Sequence, residues 1–171
     1  MLVTEQERLR EQIAAWVDQY GSDRSTLMPV LQQVQKTYGR ISNLAMQEIA
    51  DRLGIHPVEV YGVVSFYSFL HDKPQGRFVI RLCRTISCDM AHKDRVARQL
   101  ENDLGVKFGE TTSDGLFTLE WANCLGMCDQ GPAMLINDEV HTRVTPESIH
   151  DILEKCRQTL GASALTTEKE S

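Results

Sequence analysis

Two closely spaced pairs of cysteines constrain this chain more than any other feature of its sequence. Cys83 and Cys88 are the first and last residues of the hexapeptide CRTISC, and Cys124 and Cys128 are the first and last residues of the pentapeptide CLGMC. The N-terminus, MLVTEQERLREQ, is charged from residue 5 and lacks the apolar core and the cleavage site of a signal peptide, so we expect a cytoplasmic protein. In a reducing cytosol, cysteines in close pairs indicate metal binding or redox chemistry rather than structural disulfides.

Each pair is predicted to follow a β-strand. Patterned apolar residues predict strands over residues 77–82 and 116–121, and the cysteine pairs fall in the loops after them. Loops at the same end of adjacent strands can converge on one object. The sequence therefore predicts one shared site for the four cysteines.

The spacings C-x4-C and C-x3-C distinguish between several kinds of site. Structural zinc favours C-x2-C knuckles, a catalytic dithiol usually needs one C-x-x-C pair, and unligated core cysteines would occupy apolar positions of helices or strands. A 2Fe-2S cluster has two irons that are each completed by two thiolates, which two separate pairs supply. The spacing favours this cluster, with a zinc-stabilised interaction module and a thioredoxin-like thiol oxidoreductase as the alternatives.

Three residues near or outside these pairs carry further hypotheses. Gly126, inside CLGMC, would permit a positive φ or a close backbone approach, although an ordinary turn also accounts for it. Pro132 begins a predicted strand, and we hypothesise that its peptide bond is cis. Cys156 shares an apolar stripe with Leu153 on the last predicted helix, so we expect it in the core.

The first 72 residues are predicted to form a helical bundle. Three segments show apolar residues at helical spacing, and Pro57 suits the first position of a fourth helix. The high apolar content of that helix predicts that it is buried. We accordingly expect Phe66, Tyr67 and Phe69 at its end to pack in the core rather than to form a partner surface.

The segment DKPQG, residues 72–76, carries turn residues and is predicted to be a domain boundary. Over residues 76–160 the pattern is β-α-β-β-β-α, with its first helix at 90–104 and its last beginning at Pro146. This order predicts an α/β domain in which helices cover a small sheet, as in thioredoxin-like folds. Residues 161–171 are polar and small, which predicts a flexible tail.

Composition excludes several classes of function. The chain has 24 acidic and 18 basic side chains, a net charge of -6 and no basic stripe, so nucleic acid is not an expected partner. No apolar run approaches the ~20 residues that span a bilayer, so membrane insertion is not expected. The chain also lacks both glycine-rich nucleotide-binding motifs. These features describe an electron carrier without its own source of hydride.

Four segments of the sequence resemble a known family. LCRTISC, GETTSDGLFTLEWANCLGMCDQGPAMLIND, VTPE and GVVSFYSF are similar to the small 2Fe-2S subunit of NADH dehydrogenase modules. These are the E subunit of bacterial NADH:quinone oxidoreductase and related subunits of NAD(P)-linked hydrogenases and formate dehydrogenases. The resemblance covers residues 5–160. It implies that Cys83, Cys88, Cys124 and Cys128 ligate one 2Fe-2S cluster in a thioredoxin-like domain that follows a helical domain.

The resemblance also implies a partner and a role. The partner is a flavoprotein subunit that binds NAD(P)H and holds FMN and further iron-sulfur clusters, together with larger iron-sulfur, hydrogenase or formate dehydrogenase subunits. This chain would be a non-catalytic electron-transfer subunit that exchanges single electrons with the FMN; some relatives take part in electron bifurcation. The run CDQGPA is less apolar than expected for respiratory subunits, which favours a soluble hydrogenase or formate dehydrogenase complex.

Overall fold

The computed structural model describes the backbone of residues 4–167 and the side chains of residues 4–159. The chain divides into two compact units, Met1–Gln75 and Gly76–Ser171. Within the described residues, no helix has both the length and the apolar character needed to cross a membrane.

The first unit is a bundle of four helices. They are α1 (Glu5–Tyr20), α2 (Leu27–Tyr38), α3 (Asn43–Leu53) and α4 (Pro57–Phe66). Helix α1 begins with a capping box formed by Thr4 and Glu7, and α2 and α3 end at Gly39 and Gly54 in the left-handed conformation. Apolar residues spaced three and four apart face a common core. The core includes Ile13, Val30, Leu31, Val34, Ile49 and Val60.

The end of α4 differs from the prediction. Val60 and Val64, four residues apart, are the buried positions of this helix, so only one narrow face packs on the bundle. Phe66 is 79% exposed, and Tyr67 and Phe69 are 38% and 40% exposed. The prediction that these three aromatic residues pack in the core is therefore wrong. They lie at or beyond the end of α4, where the chain has left the face that Val60 and Val64 define.

The second unit is a four-stranded mixed sheet with helices. Its strands are β1 (Phe78–Cys83), β2 (Phe117–Ala122), β3 (Met134–Ile136) and β4 (Glu139–His141), in the order β2-β1-β3-β4. Strand β1 pairs parallel with β2 and antiparallel with β3, and β3 pairs antiparallel with β4. A parallel pair needs a crossover. Helices α5 (Ile86–Met90) and α6 (Lys93–Leu104) provide it, and α7 (Pro146–Thr167) follows β4.

The core of this unit lies between the sheet and helices α6 and α7. Ile80 and Leu82 from β1 and Leu119 from β2 are fully buried there, with Leu100 from α6 and Leu153 from α7 among their neighbours. The α/β fold class with a helical bundle before a small helix-covered sheet is confirmed. The sheet also brings the ends of β1 and β2 to one edge. Cys83 is itself the last residue of β1 and Cys88 lies in α5, so the prediction that this pair falls in the loop after the strand is wrong.

Two helices of this unit depart from the predicted boundaries. The helix predicted over 90–104 is instead α5 and α6, separated at His92, whose φ of 65° is left-handed and cannot continue a right-handed helix. Helix α7 continues to Thr167, past the start of the tail predicted for 161–171. The segment contains alanine and leucine, which favour helix. Residues 168–171 of that prediction lie outside the described residues.

Candidate metal centre

The parallel pairing of β1 and β2 places the two cysteine-bearing loops side by side. Cys83, the last residue of β1, is in register with Ala122, the last residue of β2. The Arg84 N–H donates to the Ala122 carbonyl at 2.9 Å, and its Nε donates to Asn123 Oδ1 at 3.3 Å. The loop after β1 is thus joined to the loop after β2 where both leave the sheet.

The first cysteine pair is buried. Cys83 ends β1 and Cys88 lies in α5, and their side chains are 2% and 1% exposed. They form a small apolar cluster with Ala133, against which Leu125 and Met127 from the second loop pack. CLGMC therefore contributes its apolar side chains to the surroundings of the CRTISC cysteines.

The second cysteine pair is exposed. Cys124 and Cys128 are both free thiols, with their Sγ atoms 3.4 Å apart, well beyond a disulfide bond. Gly126 between them has a φ of 80°, and its N–H donates to Cys124 Sγ at 3.3 Å. Gly126 thus uses the positive φ that glycine permits, whereas a Cβ at this position would meet no atom within 4 Å, so no close backbone approach is present. The loop thereby directs one backbone donor at a cysteine sulfur.

Several polar groups surround the Cys83 sulfur. Thr85 Oγ1 lies 3.1 Å from Cys83 Sγ, and the backbone N–H groups of Thr85 and Leu125 favour the thiolate form of this cysteine. Burial raises the pKa of the Cys83 thiol, but these donors, which favour the thiolate, lower it below its ordinary value overall. The Leu125 donor comes from the second loop, so both loops contribute to the environment of Cys83.

The remaining cysteines influence one another. Burial raises the pKa of Cys88, against a hydrogen bond from the Ala133 N–H, and the nearby Cys83 raises it further. The hydrogen bond and charge of Cys124 raise the pKa of Cys128, which the Ser87 hydroxyl opposes. Thiols so close together resist joint ionisation, whereas a bound cation would offset their charge. The arrangement is suited to binding a cationic group.

The segment just before β3 lies against the cysteine site. The Gly131–Pro132 peptide bond is cis, which confirms the hypothesis for Pro132. A Cβ at Gly131 would lie 3.4 Å from Cys88 Sγ, so this backbone lies directly against that cysteine.

Residues expected away from the site are found away from it. Cys156 is partly buried against the core of the second unit, as predicted, and burial raises the pKa of its thiol. His92 and His150 are exposed. In the described part of the chain, no group of three or more His, Cys, Asp or Glu side chains could hold a metal ion.

Some contributors to the site were not singled out from the sequence. The hydroxyl of Thr85 lies within hydrogen-bond distance of Cys83 Sγ, and the Ser87 hydroxyl and the N–H groups of Leu125 and Ala133 favour the thiolate forms of neighbouring cysteines. A hydroxyl residue two positions from a cysteine is a signal that could have identified Thr85. The Leu125 and Ala133 donors depend on how separate segments approach each other, which spacing does not reveal.

Comparisons with known proteins were made on the whole chain. A family model described as thioredoxin-like [2Fe-2S] ferredoxin matches residues 13–157. The chain is 37% identical over 149 residues to the E 2 subunit of NADH-quinone oxidoreductase from Rhizobium meliloti, a match that covers 87% of this chain and 89% of that protein. It is 36% identical to the alpha subunit of the NAD-reducing hydrogenase HoxS from Cupriavidus necator, covering 85% of this chain but 24% of that protein.

A solved structure has a similar fold. The crystal structure of an NAD+-reducing [NiFe]-hydrogenase in the air-oxidised state superposes with a TM-score of 0.68 at 24% identity. The superposition covers 78% of this chain and 23% of that one, so the chain spans about a quarter of the hydrogenase chains it matches.

Proposed function

This chain belongs to the thioredoxin-like [2Fe-2S] ferredoxin family, as its motifs predicted, and on that premise we propose that it is an electron-transfer subunit. Its ligands are Cys83, Cys88, Cys124 and Cys128, and the bound 2Fe-2S cluster supplies one-electron exchange with the FMN of a partner subunit that oxidises NAD(P)H. The observation that carries the proposal is the juxtaposition of two cysteine pairs at the ends of parallel strands β1 and β2.

The donor set supports a two-iron group over a single zinc ion. The four residues are thiols, the ligand type that iron-sulfur clusters take. They form two separate pairs along the chain, and neither pair has the C-x2-C spacing that structural zinc favours. A structural zinc needs four ligands around one point, whereas a binuclear cluster takes two from each pair.

The surroundings of the cysteines support the binding of an electron-transfer group. The Gly126 N–H donates to Cys124 Sγ, and Thr85, Leu125 and Ala133 favour the thiolate forms of Cys83 and Cys88. The buried pair ties the site to β1 and α5, while the exposed pair leaves one side open to a partner. The chain itself needs no catalytic acid or base for this role.

The length of the relatives supports a particular kind of complex. The match to the NADH-quinone oxidoreductase relative from Rhizobium meliloti covers 89% of that protein, so a small subunit of an NADH-oxidising complex in the cytoplasm is the first proposal, ahead of the hydrogenase or formate dehydrogenase complex that the run CDQGPA favoured. The similarity to the hydrogenase subunit from Cupriavidus necator favours a hydrogenase complex as the second proposal. A role in formate dehydrogenase or electron bifurcation stays a prediction from the family resemblance alone. The polypeptides that co-purify with the tagged chain decide between these complexes.

The ligand assignment is tested by spectroscopy of the purified chain. We expect a reddish-brown protein with about two irons and two sulfides per chain and an electron paramagnetic resonance signal that appears only on reduction. Cys83→Ser and Cys124→Ser should abolish or strongly perturb these spectra, because each removes one thiolate ligand. Cys156→Ser is the matched control and should leave them unchanged.

Two results would contradict the proposal. Colourless protein with one bound zinc would favour the zinc-stabilised module. Loss of the spectrum in Cys156→Ser, without unfolding of the chain, would show that the ligand set is wrong.

A further inference from the structure

Thr85 occupies the N-cap position of α5, but its hydroxyl does not cap that helix. An N-cap threonine ordinarily accepts a hydrogen bond from the backbone N–H two or three residues later. Thr85 has the extended backbone of an N-cap and makes no such side-chain bond. Its Oγ1 lies instead 3.1 Å from Cys83 Sγ. The hydroxyl is therefore directed at the sulfur.

The direction of this hydrogen bond follows from the state of the cysteine. In the free thiol either atom can donate. A thiolate that ligates a metal has no proton, so in the loaded protein the Thr85 hydroxyl must be the donor. Cys83 is 2% exposed, and a hydrogen bond to a buried charge is stronger than one in water.

Resting on the proposed function, we infer that Thr85 is a positioning residue that raises the reduction potential of the bound cluster by donating to Cys83. Reduction adds one electron and no proton, so it increases the negative charge shared by the four thiolates. A donor to one of these sulfurs stabilises the reduced state more than the oxidised state. The backbone N–H groups of Thr85 and Leu125 act on the same sulfur, and the hydroxyl is the contribution that a side-chain substitution can remove.

The test is a redox titration of the purified full-length chain, followed by visible absorption and electron paramagnetic resonance. Thr85→Val keeps the shape of threonine and removes the hydroxyl. We expect it to lower the reduction equilibrium constant by up to about tenfold, which is about 59 mV for a one-electron couple. Thr85→Ser keeps the hydroxyl and should restore the wild-type potential.

A matched control removes a hydroxyl elsewhere in the same unit. Thr159 Oγ1 donates to the Lys155 carbonyl within α7, a helix that contains none of the four candidate ligands. Thr159→Val should leave the potential unchanged. If Thr85→Val does not hold the cluster, Thr85→Ala compared with Thr85→Ser makes the same test.

The outcomes separate this inference from the proposed function. If the cluster of Thr85→Val has the wild-type reduction potential, the inference alone is overturned. The same holds if the potential of Thr85→Ser is as low as that of Thr85→Val. A wild-type chain without a 2Fe-2S spectrum overturns both the inference and the proposed function.

Discussion

At the scale of single residues, the two cysteine pairs have opposite surroundings although they belong to one site. Cys83 and Cys88 are buried in an apolar cluster, whereas Cys124 and Cys128 are exposed at the surface. The difference follows from the secondary structure, because the first pair belongs to a central strand and the short helix after it. The second pair lies in the loop after β2, an edge strand of the sheet. Access to the site is therefore from the CLGMC side.

The pH dependence of Cys156 alkylation tests whether this thiol is buried. Burial raises the pKa of its thiol, and the negative charge of Glu139 raises it further. A thiol with a raised pKa is less ionised at a given pH, and only the thiolate reacts with alkylating reagents. We expect the alkylation rate of Cys156 to rise with pH over a higher range than that of a free cysteine, as measured by mass spectrometry. Glu139→Gln should lower this range.

The urea-unfolded chain is the control, since it removes the burial. Alkylation of folded Cys156 at the rate of the unfolded chain across this pH range would contradict the prediction.

At the scale of elements, the crossover between β1 and β2 is what forms the site. After β1 the chain forms the short helix α5, which contains Cys88. It then makes a left-handed turn at His92 and continues as α6. The apolar spacing of residues 90–104 predicted the second part of this path correctly, because Val96 and Leu100 face the core. It did not predict the break. Neither glycine nor proline marks the break at residue 92, where an exposed histidine has a left-handed backbone conformation.

Substitution at His92 tests the left-handed turn. A β-branched residue tolerates a positive φ less well than histidine does, so we expect His92→Val to lower the free energy of unfolding by about 1–2 kcal/mol. Denaturant unfolding followed by circular dichroism provides the measurement. His150→Val, at an exposed position within α7, makes the same chemical change in a right-handed helix and should alter stability by less than about 0.5 kcal/mol. Equal effects of the two substitutions would contradict the assignment of strain to His92.

At the scale of the whole molecule, the chain contains two separate sets of core residues. The core of the first unit draws on residues 9–70, and the two apolar clusters of the second unit draw on residues 80–153. Each unit has its own hydrophobic core, which is the property of a domain that can fold alone. We propose that residues 1–72 and 76–160 are independent domains, with all four candidate ligands in the second.

Fragments of the chain test this division. We expect residues 76–171 alone to retain the visible and electron paramagnetic resonance spectra of the full chain. Residues 1–75 alone should show helical circular dichroism and a cooperative thermal transition. A fragment that begins at residue 84 lacks β1 and Cys83 and should not hold the cluster. Loss of the spectra from fragment 76–171, with the full chain intact, would show that the second unit depends on the first.

The sequence by itself determined the fold class, because apolar periodicity is local, and the cysteine spacing favoured a 2Fe-2S cluster. The family followed from the resemblance of its motifs. The sequence also predicted that Cys156 contributes to the core, against which it packs partly buried. Only the tertiary structure decided the exposure of Phe66, the left-handed turn at His92 and which groups from other segments lie near the cysteine sulfurs. The physical reason is that burial, backbone strain and hydrogen bonding between distant residues depend on which segments approach each other in space.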